Sequence, residues 1–133
     1  MALTRGYKQL LAEARERIET INVDSARSAL GSENAVFVDI RDASELEREG
    51  MVPGAVHAPR GMLEFMADPD SPYHKPAFAS GKRLILYCQS GGRSALAAAT
   101  LKDMGVANVC HVDGGFAAWR NAGCPTAPKE AGG

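Results

Sequence analysis

At 133 residues, with 45% hydrophobic and 23% charged residues and a formal net charge of -1, the chain has the size and makeup of one globular domain that can bury its own core. No polybasic run points to nucleic acid or a membrane surface, no apolar run reaches membrane-spanning length, and the N-terminus lacks the apolar stretch of a secretory signal. Three cysteines with no CxxC pair argue against a disulfide framework or a structural zinc site, so a reducing cytoplasm is the expected setting.

Tyr7, Leu10, Leu11, Ala14, Ile18 and Ile21 recur at helical spacing among charged neighbours, which predicts an N-terminal amphipathic helix over residues 1–20, either packed on the domain or docked to a partner subunit. Ile21 to Val23 reads as a short strand, and Asp24 as the cap of a helix from Ser25 to Leu30 stopped by Gly31. Ala35 to Ile40 has the composition of a buried parallel strand. Asp42 and Glu45 then stand at capping-box spacing at the start of a helix ending at Gly50. Asp39 and Arg41 fall at that strand's C-terminal end, the edge where ligand sites gather in open α/β sheets. Asp39 reads as a group that accepts backbone N–H bonds in its own turn, whereas Arg41 is free to hold an anion.

Pro53-Gly-Ala55 turns the chain into a strand from Ala55 to Ala58, followed by a helix near Met62 to Met66, with Arg60 facing either the site or solvent. His57 at the strand end reads as a hydrogen-bonded structural residue, and the Pro-rich stretch 67–76 as a surface loop. Arg83 to Tyr87 is a buried strand, and the Ala-rich run to Leu101 is a helix that stops at Gly105. Val106 to Val112 is the last strand, and Asp113-Gly114-Gly115 opens a final helix carrying Phe116 and Trp119. Cys110 behaves as a small buried hydrophobe, Cys124 lies exposed in a Gly-Cys-Pro turn, and Cys110-His111 is too little for a metal. Residues 21–127 thus form the domain and 128–133 a flexible tail. Alternating strands and helices predict a three-layer α/β fold with a mostly parallel sheet.

Chemistry concentrates between the Arg83 strand and its helix. Cys88 ends the strand, and Gln89, Ser90, Gly91, Gly92, Arg93 and Ser94 lead into a helix N-terminus, where backbone N–H groups gather. Two glycines let successive N–H groups turn inward without a Cβ in the way, Ser90 and Ser94 add hydroxyls, and Arg93 adds a cation. Such a ring favours a thiolate or persulfide anion over the cost of burying it.

The Cys88-Gln-Ser-Gly-Gly-Arg-Ser94 loop resembles the active-site loop of single-domain rhodaneses, the thiosulfate sulfurtransferase family. Two other stretches carry the same resemblance: Val38-Asp-Ile-Arg41 with Glu45, Gly50, Pro53-Gly-Ala55 and Pro59, and Gly114-Gly115-Phe-Ala-Ala-Trp119 with Gly123 and Pro125. The resemblance implies a rhodanese-like domain of five main strands in the order one, five, four, two, three. It implies sulfur transfer through a Cys88 persulfide from a small anionic donor to a thiol or cyanide-like acceptor, or to a sulfur-acceptor protein, with no metal or organic cofactor. Stretch 67–76 would then pass near the site's mouth, where Tyr73, His74 and Lys75 screen substrates. Related folds carry phosphatases and arsenate reductases with five residues between Cys and Arg. Here four intervene, and Tyr87 stands where those phosphatases place His. A noncatalytic sensing module is the remaining alternative.

Overall fold

Among the described residues five short strands pair into one all-parallel sheet: β1 (Glu19–Ile21), β2 (Ala35–Asp39), β3 (Val56–His57), β4 (Arg83–Tyr87) and β5 (Val109–Val112), in the order β1-β5-β4-β2-β3. The computed structural model describes residues 2–129, so most of the stretch 128–133, expected as a tail, lies outside the described residues. Among the described residues six α-helices flank the sheet: α1 (Tyr7–Arg17), α2 (Val23–Ala29), α3 (Ala43–Glu49), α4 (Leu63–Ala67), α5 (Gly92–Asp103) and α6 (Gly115–Asn121).

Side chains alternate across a strand with period two, and that alternation divides the core. Leu84, Leu86 and Cys88 pack with Ala97, Ala98 and Leu101 of α5 and Leu63 of α4. Ile85 and Tyr87 turn the other way, onto Ala26 of α2 and Phe116 and Trp119 of α6. Trp119 donates its indole N–H to the Pro125 carbonyl at 2.7 Å and meets Phe37 edge-on, which gives its polar atom a partner inside the core. The short central strands are therefore covered on both faces, as a parallel sheet requires.

Two boundaries differ from expectation, for one local reason. The Asn22 side chain accepts the Ser25 N–H at 2.8 Å, so Asn22 rather than Asp24 caps α2 and the helix begins at Val23. The chain must then leave its strand by Ile21, and β1 occupies Glu19–Ile21 while α1 stops at Arg17. In α1, Ala14 is buried, Leu11 is half-buried, as is Ile18 just past the helix end, and Tyr7 stands 67% exposed, so only part of the expected stripe meets α5. No helix among the described residues is long and apolar enough to cross a membrane.

Asn22→Ala should lower stability by about 1 kcal/mol, the usual worth of an N-cap. Asp24→Ala, which removes only a charge near the helix dipole, should cost about 0.5 kcal/mol or less. Urea denaturation of the two variants measures this, and the reverse ranking would restore Asp24 as the cap.

Candidate active site

Because Cys88 continues the face of β4 that carries Leu84 and Leu86, its sulfur points to the α5 side of the sheet, 1% exposed, under the first turn of α5. Gly91 takes φ +112° and sends its N–H to Sγ at 3.1 Å; the Ser94 N–H reaches the same sulfur at 3.4 Å, and the Ser94 hydroxyl lies 3.5 Å away. Of the two adjacent glycines only Gly91 needs this left-handed conformation. Gly92 is the first residue of α5, and a Cβ there would meet only Leu11 at ordinary contact distance.

The loop's carbonyls point the other way. The Phe116 N–H donates to Cys88 O at 2.8 Å and the Ala117 N–H to Gln89 O at 3.1 Å, so the first turn of α6 takes up the acceptors while the donors face the sulfur. This approach is close enough that a Cβ on Gly115 would sit 2.5 Å from Cys88 O. Gly115 itself takes φ +58°.

Asp39 and Arg41 are fully buried and bound to each other: Arg41 Nη2 lies 2.7 Å and Nε 3.0 Å from the carboxylate, whose Oδ1 also accepts the Arg41 backbone N–H. Arg41 further donates to Gly50 O and to Gln89 Oε1, and its guanidinium stacks 4.2 Å from the Phe116 ring. Four of its five N–H groups are bound within the protein and its charge is paired, which makes it a strut beneath the loop rather than the free anion-holding cation that its strand-end position suggested. Gln89 completes the strut by donating to Glu49, which also receives Arg120.

Arg93 gives both terminal nitrogens to Glu45, at 2.9 and 2.8 Å, and the same Glu45 carboxylate accepts the Asp42 N–H in the expected capping box. The Arg93 hydrogen bonds pull the Glu45 carboxyl down to about 2. Ser90 is exposed at the loop's tip. Arg60 bonds Glu64 and Thr100, the latter six residues along α5 from Ser94, so it stands away from the loop. His57 lies 2.7 Å from Arg41 O. Lys75 and His74 bond the His57 and Met66 backbones, which ties stretch 67–76 to β3 and α4 rather than to the residues around Cys88.

The sequence reads His111 only as too little for a metal, and Cys124 as exposed; the structure gives both other surroundings. His111 is 1% exposed, 2.9 Å from the Ser94 hydroxyl through Nδ1 and 3.0 Å from Thr20 Oγ1 through Nε2. Its signal was available: it is a polar residue at a period-two position of a buried strand, in register with Leu86. Cys124, expected exposed, is 6% exposed because Arg27 of α2 folds over it and places Nε and Nη2 3.1 and 2.9 Å from its sulfur. Cys110 is fully buried, and that burial pushes its thiol up to about 11.

The rhodanese-like domain model matches residues 22–122. A thiosulfate sulfurtransferase GlpE of Pseudomonas savastanoi pv. phaseolicola is 36% identical over 93 residues, 69% of this chain and 78% of that protein. A sulfurtransferase of Allochromatium vinosum is 30% identical over 99 residues, 74% of this chain and 84% of its own length. Among solved structures, a Rhodopseudomonas palustris protein of unknown function, described as a possible tyrosine phosphatase, superposes with TM-score 0.92 at 49% identity, covering 96% of this chain and 98% of that one.

The Glu45–Arg93 pair makes a pH-dependent contribution whose sign follows from its direction. A carboxyl held below its ordinary 4.5 stabilises the fold fully above that value and loses the contribution as pH falls toward about 2. Glu45→Gln should therefore be less stable than the parent at neutral pH, by about 1 kcal/mol because Arg93 is partly exposed. The gap should close on acidification through that window. Urea melts at several pH values measure it, and a gap independent of pH would show that the charge is immaterial.

Proposed function

This chain belongs to the rhodanese-like family, and from that premise we propose that it is a sulfurtransferase that carries sulfur from thiosulfate or a related anion as a Cys88 persulfide. The Cys88 thiolate attacks the outer sulfur of the donor, a new S–S bond forms, and the donor's S–S bond breaks with its electron pair leaving on sulfite. A thiolate or cyanide acceptor then attacks the outer persulfide sulfur, and Cys88 departs as thiolate. The observation that carries this reading is the convergence of the Gly91 and Ser94 N–H groups on one sulfur. Gly92 and Arg93, also in the first turn of α5, have no intrahelical acceptor for their N–H groups, which leaves those groups available to an outer sulfur on Cys88. Arg93, fixed to Glu45, holds that turn in place and lends its charge only through a neutralised pair. The Asp39–Arg41–Gln89 strut supports the loop from beneath, and Arg60 stays outside the reaction.

The description attached to the Rhodopseudomonas palustris structure gives a phosphatase reading a specific basis. Three features here oppose it. Only four residues separate Cys88 from Arg93, the Arg93 fork that would grip phosphate oxygens is on Glu45, and Tyr87 is buried with its hydroxyl accepting the Val52 N–H.

Side-by-side kinetics decide between them. The purified protein should form thiocyanate from thiosulfate and cyanide and release negligible phosphate from an aryl phosphate. Cys88→Ser should lower sulfur transfer by about a hundredfold or more. Cys110→Ser and Cys124→Ser, if folded, should keep most of it. Phosphate release dependent on Cys88, without sulfur transfer, would overturn the assignment.

A further inference from the structure

Cys88 must lose a proton before it attacks, yet its residue is 1% exposed, so the thiol has little direct access to water. A polar line leads away from it. Cys88 Sγ is 3.5 Å from Ser94 Oγ, Ser94 Oγ is 2.9 Å from His111 Nδ1, and His111 Nε2 is 3.0 Å from Thr20 Oγ1. Ser94 and His111 are buried, while Thr20 is exposed, so the line begins at the thiol and ends at solvent. The convergence follows from strand alternation: Cys88 just past the end of β4, His111 on β5 and Thr20 on β1 share the α5 side, and Thr20 and His111 are register partners. Each intermediate link is a hydroxyl or a neutral imidazole, groups that donate and accept at once.

We propose that Ser94, His111 and Thr20 form a proton path between the Cys88 thiol and solvent, with His111 as a neutral relay that positions the Ser94 hydroxyl. In the resting thiol the Sγ–H donates to Ser94 Oγ, Ser94 donates to His111 Nδ1, and His111 Nε2–H donates to Thr20. On ionisation the Sγ–H bond breaks and Ser94 gains that proton. The original Ser94 proton passes to Nδ1, the Nε2 proton passes to Thr20 Oγ1, and the former Thr20 proton leaves to a water molecule. His111 gains and loses one proton, so it remains neutral and exchanges tautomers. Every donor in the line then points toward the sulfur, and the thiolate acquires the Ser94 O–H as a third donor beside the Gly91 and Ser94 N–H groups.

The surroundings of His111 favour passage over storage. From β4 it meets apolar Leu86, from α5 Ser94 and from β1 Thr20; the charged groups acting on it are Arg15 of α1 and Asp113 just beyond β5. Burial first, and Arg15 second, lower its proton affinity to about 4, against a smaller opposite effect of Asp113. An imidazolium is therefore a poor resting place for the proton at neutral pH. The Gly91 carbonyl competes for the Ser94 hydrogen, but at 3.3 Å against 2.9 Å for His111.

The inference rests on Cys88 reacting as an anion, but not on what that anion attacks, and its test needs no sulfur donor. The NMR shifts of the two His111 ring nitrogens should exchange protonated and unprotonated character between Nε2 and Nδ1 in step with the ultraviolet thiolate absorbance. Cys88→Ala should abolish that exchange. Thr20→Val, at an exposed position that spares the core, should slow alkylation of Cys88 by iodoacetamide at neutral pH about threefold to tenfold, the effect of one lost hydrogen bond. Raising the pH, or restoring a hydroxyl with Thr20→Ser, should recover the rate. A ring tautomer indifferent to Cys88 ionisation, an imidazolium at neutral pH, or unchanged alkylation in Thr20→Val would each overturn the relay. An intact relay in a protein that transfers no sulfur would instead count against the proposed reaction alone.

Discussion

The site depends on where the carbonyls of its own loop go. A peptide chain that turns its N–H groups toward one sulfur must dispose of the opposing C=O groups, and a buried carbonyl without a partner costs as much as a lost hydrogen bond. Here the Cys88 and Gln89 carbonyls dock on the first turn of α6, whose N–H groups have no intrahelical acceptors of their own. Each set of orphaned groups satisfies the other. The arrangement tolerates no side chain at Gly115 and requires the left-handed turn at Gly91, so the two glycine positions separated in sequence are one constraint in space.

Charge is arranged around this loop in pairs. Arg41 is held by Asp39 and Arg93 by Glu45, so these two cations stiffen the cradle and add little net positive field. Breaking the fully buried Asp39–Arg41 pair costs about 3 to 5 kcal/mol because the surviving charge is stranded, whereas the partly exposed Glu45–Arg93 pair contributes less. In the proposed reaction a Cys88 thiolate relies on oriented backbone and hydroxyl dipoles, which are neutral and already in place when charge develops. Dipoles suit a transferred sulfur atom, whereas gripping a phosphate calls for a free guanidinium fork.

Local patterns in the sequence were enough to find the strand, loop and helix around Cys88, the Asp42–Glu45 capping box and the buried role of Cys110, because each is decided within a few residues. The strand order came from the family resemblance, since pairing between distant strands leaves no local mark. What could not be read depended on partners far along the chain. Glu45 serves its own helix as a cap and also holds Arg93, 48 residues away, and only the second role is invisible locally. Arg41 looked free at a strand end but is paired two residues back, under a loop that arrives much later. Cys124 lies in a turn that reads as surface until Arg27 covers it. Asn22 and Asp24 are both good capping residues, and side-chain geometry alone separates them.

The central claim is that the loop around Cys88 stabilises a sulfur anion and so lets that one thiol carry a sulfur atom. Intact mass spectrometry of the protein after exposure to thiosulfate, with peptide mapping, tests it most directly. The account predicts one added sulfur on Cys88, removed by cyanide, and none on Cys110 or Cys124. An unmodified protein, or sulfur mapped to either of the other cysteines, would contradict it.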